Sequence, residues 1–270
     1  MKLTSKEIQL QFDGFLQTHC LWTGNTIYEL KQLNIKQKSH VFNLEINTKI
    51  RLGKYIERFV SYQLQQNEST KIIAENIQIQ QNKITLGELD CILLKNDIPI
   101  HLEIIYKFYL YDSNVGTSEI DHFIGPNRKD SLGEKLTKLK EKQLPLLYSK
   151  ECENYLNSIQ LSSKNMEQQV YFKAQLFLPF SDKTIQLNKL NQNCCVGYYI
   201  NRKELEEFST CKFHIPNKKD WLVIPHKNVH WLSYGKTKEI FYDYLERQFS
   251  PLCWIKFHNG EIKKIFLVWW

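Results

Sequence analysis

Two carboxylates and a lysine interrupt a strongly apolar stretch of the chain: Asp90, Glu103 and Lys107. Charges inside such segments are costly unless they are paired or bind a metal. Magnesium takes oxygen ligands at about 2.0–2.1 Å and usually keeps several waters, so an aspartate and a glutamate on strands about 4.8 Å apart could share one ion. A cation held there polarises a phosphate and acidifies a bound water. Lys107 shares the strand face of Glu103, where a long cationic side chain could orient a nucleophile or stabilise phosphate charge. Glu57, earlier in the chain, could supply a further ligand or hold a metal-bound water. The competing structural reading is an ion pair, or a solvated strand face.

These residues need particular elements to bring them together. Gly87–Leu94 and Ile98–Tyr111 are rich in aliphatic, β-branched and aromatic residues, and the polar Lys95-Asn96-Asp97 between them predicts a hairpin. Alternation in the second arm puts Ile100, Leu102, Ile104, Tyr106, Phe108 and Leu110 on one face. His101, Glu103, Ile105, Lys107, Tyr109 and Tyr111 fall on the other, so the two tyrosines are candidates for lining the site. Glu57 sits in a helical pattern from Asn47 to Gln65, and Ile77–Gln80 reads as a strand turning through Gln81-Asn82-Lys83 into Ile84–Leu86. Thr4 with Glu7, and Ser131 with Glu134, are capping-box patterns. The second opens a helix to about Lys142, with Leu132, Leu136 and Leu139 inside and Pro145 as its stop. Tyr148–Gln169 is polar without a clear period. Beyond it, Val170–Leu178, Val196–Ile200, Trp221–Pro225 and Ile262–Trp270 read as strands and Ile240–Phe249 as a helix. The fold class is α/β, a mixed β-sheet core flanked by helices with additional C-terminal strands. We expect a core over residues 1–150 and a β-rich extension over 151–270 that could continue the same sheet.

Composition narrows the partners. The 270 residues are 42% hydrophobic and 24% charged, and no apolar run reaches the roughly 20 residues that span a bilayer. The first residues lack the apolar core of a signal peptide, so a cytoplasmic protein with no membrane partner is expected. Seven cysteines without a CxxC pair argue against a disulfide framework or a zinc ribbon. The net charge of +7 permits attraction to nucleic acid. No P-loop, GxGxxG or GxSxG motif is present, and His214, His226, His230 and His258 lack metal-ligand spacing.

In order along the chain, Glu57, Gly87-Glu88-Leu89-Asp90, and Glu103 followed by Lys107 resemble the core of the PD-(D/E)XK nuclease superfamily. The chain also resembles the bacterial family labelled domain of unknown function 1853. The residues carrying that likeness are Leu52–Glu57, Gly87–Asp90, His101–Glu103 with Lys107–Leu110, Gly125-Pro126-Asn127 and Lys142–Leu146. The superfamily resemblance implies a restriction-endonuclease-like fold and a hydrolase that cuts phosphodiester bonds, in DNA rather than RNA, with magnesium or manganese. Asp90 and Glu103 would hold the metal, with Lys107 and Glu57 in the catalytic set. It also implies that the helix after the third core strand can present a glutamine or basic residue to the site, which puts Gln143, with Lys135 and Arg128, among the candidate nucleic-acid contacts. One position departs from the pattern. The superfamily lysine normally follows the glutamate by two residues, but position 105 is isoleucine and Lys107 is four residues on. The alternative reading is therefore a nucleic-acid-binding or protein-interaction protein on the same fold that does not cut.

Overall fold

A computed structural model describes residues 5–24, 26–35 and 41–270. Thr4, and with it the first capping box, lies outside the described residues. The chain begins with helices α1 (Ser5–Gln17) and α2 (Leu52–Gln65), followed by strands β1 (Thr70–Gln81), β2 (Ile84–Lys95), β3 (Ile98–Tyr111) and β4 (Phe123–Ile124). Next come helices α3 (Leu132–Lys138) and α4 (Lys150–Ser158), then strands β5 (Glu167–Pro179), β6 (Cys195–Ile200), β7 (Lys212–His214) and β8 (Leu232–Ser233). Helix α5 (Tyr234–Glu246) and strands β9 (Leu252–Lys256) and β10 (Ile262–Leu267) complete the order. The strands form a ten-stranded mixed sheet in the order β1-β2-β3-β5-β6-β10-β9-β7-β8, with β4 paired to β3. The meander β1-β2-β3 is antiparallel, while β6 runs parallel to both β5 and β10. No described helix is long and apolar enough to cross a membrane.

The meander follows from its turns. Asn96 and Asp97 join β2 to β3 with φ of 49° and 63°, and Asn82 and Lys83 join β1 to β2 with φ of 49° and 67°. Two consecutive left-handed residues make the turn whose twist matches the flanking strands, and Asn and Asp tolerate that region well. Both faces of β3 are buried, including His101 and Glu103. That is the pattern of a central strand, not of one with a wet side.

The chain divides into two compact units, each assembled from three segments. The first comprises residues 1–3, 20–106 and 134–173, and the second residues 4–19, 107–133 and 174–270. Strands β3 and β5 each contribute residues to both units. In the first unit a core of Ile77, Ile79, Leu89, Ile92, Leu147, Cys152, Leu156 and Met166 holds the meander against α4. In the second, Phe208, Phe213, Phe241, Ile255, Ile265 and Leu267 form a separate core.

Four local expectations change. Helix α2 starts at Leu52 rather than near Asn47, because the Asn47 side chain accepts the Lys49 N–H at 2.9 Å and holds that segment as a turn. The helix opening at Leu132 widens into one π-turn over Leu139–Gln143, then tightens into a 3₁₀ segment over Leu144–Tyr148. Pro145 does not stop it: it lies in the first turn of the 3₁₀ segment, where a missing N–H costs nothing. The polar run after Tyr148 contains α4, whose first turn is capped by Ser149 Oγ accepting the Cys152 N–H at 3.2 Å. Trp221–Pro225 is not a strand. Successive turns close from Leu222 N to Lys219 O and from Val223 N to Asp220 O. Gly14 of α1 packs so closely on this turn that a Cβ there would lie 2.1 Å from Leu222 O.

Candidate metal centre

In the first unit, Glu88 and Asp90 are two apart on β2 and so share a face, with the buried Leu89 between them on the other. Glu57 projects from α2 towards them. One carboxylate oxygen from each of Glu57, Glu88 and Asp90 lies within 4.8 Å of the other two. The ladder between β2 and β3 ends at the pair Cys91–Leu102. At the next position Asp90 Oδ2 accepts the Ile104 N–H at 2.9 Å, so a side chain takes the backbone donor that a continuing ladder would have used. Asn76 of β1 stands beside this point with φ of 54°, a left-handed residue inside a strand.

Lys54, one helical turn before Glu57, supplies the local cation. Its Nζ donates to Glu57 Oε2 at 2.9 Å, to Asn76 Oδ1 at 2.8 Å and to Glu88 Oε1. Burial opposes the charged form of Lys54, but its hydrogen bonds to Glu88 and Glu57 outweigh it and hold the pKa above its ordinary value.

Glu103 is fully buried between Gln143 and His101. Gln143 Nε2 donates to Oε2 at 2.5 Å, and Lys135 Nζ donates to the other end of that amide, Oε1, at 2.7 Å. The lysine therefore fixes which end of the Gln143 amide faces Glu103. The π-turn that ends at Gln143 presents this side chain to β3, in keeping with the frequent use of such turns at functional sites. On Oε1, His101 Nε2 approaches at 3.2 Å. Gln168 Nε2 lies 3.1 Å from His101 Nδ1, and an amide NH₂ can only donate. Nδ1 is thus the acceptor, and the ring proton sits on Nε2, facing Glu103.

Burial and neighbouring charge act together on these carboxyls. Burial, then the charge of Glu103, push the Asp90 carboxyl from its ordinary 3.8 up to about 7, against the Ile104 N–H. Burial also raises Glu57, with Lys54 opposing and Glu88 adding. Hard carboxylate oxygens of this number suit Mg²⁺ or Mn²⁺.

The remaining candidates lie in the second unit. Lys107 Nζ donates to Asp130 Oδ2 at 2.5 Å. Arg128 is ion-paired with the buried Asp112, and its guanidinium stacks 4.2 Å from the Trp270 ring centre. Tyr109 is buried, while Tyr111 packs edge-on against Phe123.

The family described as Domain of unknown function (DUF1853) matches residues 18–268, nearly the whole chain. The chain belongs to that family. No curated protein and no solved structure matches it. In this DUF1853 chain the first unit thus brings Glu57 and Asp90 into one carboxylate group, and joins Glu103, Gln143 and Lys135 in a separate hydrogen-bonded chain whose charge acts on Asp90. Sequence reasoning gave no site role to Glu88, Lys54, His101 or Gln168. Glu88 carried a readable signal, its two-residue spacing from Asp90. Lys54 carried a weaker one, its three-residue spacing from Glu57 on a helix face.

Proposed function

We propose that this DUF1853 chain is a metal-dependent nuclease of the restriction-endonuclease-like kind, hydrolysing phosphodiester bonds in DNA. The observation that carries this reading is the convergence of the Glu57, Glu88 and Asp90 carboxylates beside a buried Glu103. Like charges gathered in this way favour a bound cation, and Asp90, raised to about 7 first by burial and then by the charge of Glu103, is the carboxyl whose ionised form such a cation would favour. Glu57, Glu88 and Asp90 would hold magnesium or manganese, which when bound polarises a phosphate and acidifies a water. Glu103 borders the centre, held in one orientation by Gln143 and His101. Asp90 keeps its carboxylate aimed through the Ile104 N–H.

The test is cleavage of plasmid and single-stranded DNA by the full chain with Mg²⁺ or Mn²⁺, beside Asp90→Ala and Glu103→Ala. We expect activity that needs the metal and falls at least about 100-fold in each variant. Metal-dependent cleavage at the wild-type rate in both variants would sink the assignment. A second reading, nucleic-acid binding without cleavage, draws on the engagement of Lys107 with Asp130. It predicts salt-sensitive DNA binding and no metal-dependent product.

A further inference from the structure

Position 105 is isoleucine, and Lys107 is committed to Asp130 within the second unit. The ammonium that sits among the carboxylates is Lys54, from α2. We propose that Lys54 is a tethered counter-cation that a divalent metal must displace, and that the displaced ammonium then engages the phosphate of the substrate. This rests on the reading above and names the residue that serves it.

Three observations carry the inference. First, Lys54 occupies lone pairs on Glu57 and Glu88, two of the three residues whose oxygens converge. A metal taking those oxygens at about 2.0–2.1 Å would repel an ammonium hydrogen-bonded to the same groups. Second, the Lys54 side chain is 42% exposed, so its end can leave without crossing packed protein. Third, its remaining partner, Asn76 Oδ1 at 2.8 Å, is a neutral amide that would not be a preferred metal ligand. Asn76 holds a left-handed backbone conformation that few side chains adopt within a strand, and it presents an anchor for the lysine beside the acidic group. A compact ammonium with three donors on a flexible stem suits both states, first on carboxylates and then on phosphate.

The experiment titrates Mn²⁺ into the full chain by calorimetry for wild type, Lys54→Met and Lys54→Arg, and measures DNA cleavage at saturating Mn²⁺. Lys54→Met should bind Mn²⁺ roughly tenfold more tightly, since the competing cation is gone, yet cleave at least about tenfold more slowly. Lys54→Arg should stay within about threefold of wild type in metal affinity, which shows that the charge and not the packing sets it. Unchanged or weaker Mn²⁺ affinity in Lys54→Met overturns the displacement, and full cleavage by that variant overturns the role on phosphate. Should wild type itself bind no Mn²⁺, the metal centre of the previous section fails first, a result separate from either outcome.

Discussion

The two units both bury ionisable side chains, and they do so in opposite ways. In the first, three carboxylates converge beside Lys54, a fourth, Glu103, takes the amide of Gln143, and Asp90 is driven up to about 7 by burial and by Glu103. In the second, Lys264 on β10 is buried and donates to Gln175 Oε1 at 2.9 Å and to Trp221 O at 2.6 Å. Burial brings its pKa from 10.5 down to about 7. A lone lysine on neutral acceptors closes a turn: it ties the Trp221 carbonyl, which the sheet does not use, to β10. A cluster of like charges leaves its members repelling one another, which the proposed cation would relieve. A shifted pKa alone therefore does not mark a site in this molecule. What separates the two regions is whether the neighbours repel or satisfy the buried group.

The largest expected effect comes from neutralising the cluster. Asp90→Asn should lower Mn²⁺ affinity at least about 100-fold by removing a charged ligand. It should also stabilise the metal-free protein above pH 7. The folded pKa of Asp90 is raised, so the stability it contributes is fully present below about pH 4 and is lost as pH rises through about 7. The variant loses that slope, and chemical denaturation at pH 5 and pH 8 measures it. Equal slopes in both proteins would remove the basis for calling the cluster under-compensated.

An intermediate effect is expected behind Glu103. Gln143→Leu removes the 2.5 Å donor to Glu103 and leaves the Lys135 ammonium without that amide. Groups that orient a ligand commonly change metal affinity or activity about 10- to 100-fold, and calorimetry with Mn²⁺ should find a loss at the lower end of that range. Wild-type affinity and wild-type cleavage would detach Glu103 from the centre.

Much of this geometry was legible in the sequence, and the parts that were not have identifiable causes. The Asn-Asp and Asn-Lys dipeptides specify two-residue turns, and those turns pin the register of the meander. The helix bearing Glu57 showed its apolar stripe plainly. Helix α4 was hidden because its exposed residues are polar and only Cys152 and Leu156 are buried. Trp221–Val223 looked like a strand because all three residues are apolar, but they are buried by a turn packed on Gly14, which periodicity does not report. The π-turn that delivers Gln143 has no local sequence signature. Lys107 could be read from the rise of a strand: four residues span about 13 Å, so sharing a face with Glu103 does not place two groups side by side.

The smaller effects test the second unit. Lys264 has a lowered folded pKa, so the stability it contributes is present above about pH 10.5 and is lost as pH falls through about 7. Lys264→Met should shrink the difference in unfolding free energy between pH 10 and pH 7 by about 1–3 kcal/mol, with Mn²⁺ affinity unchanged. The slope is opposite in sign to that of Asp90, which makes the pair a direct check on the contrast between the regions.

The smallest effect belongs to Lys107. Its bond to Asp130 joins two side chains that are 37% and 41% exposed, and pairs of that kind contribute about 0–1 kcal/mol. Lys107→Met should therefore cost under about 1 kcal/mol of stability, and less still at high salt. It should leave Mn²⁺ affinity where Lys54→Met raises it. Denaturation and calorimetry on the two variants side by side decide which lysine belongs to the carboxylates. If Lys107→Met tightens Mn²⁺ binding as much as Lys54→Met does, the strand lysine competes for the same oxygens, and the separation drawn between the regions fails.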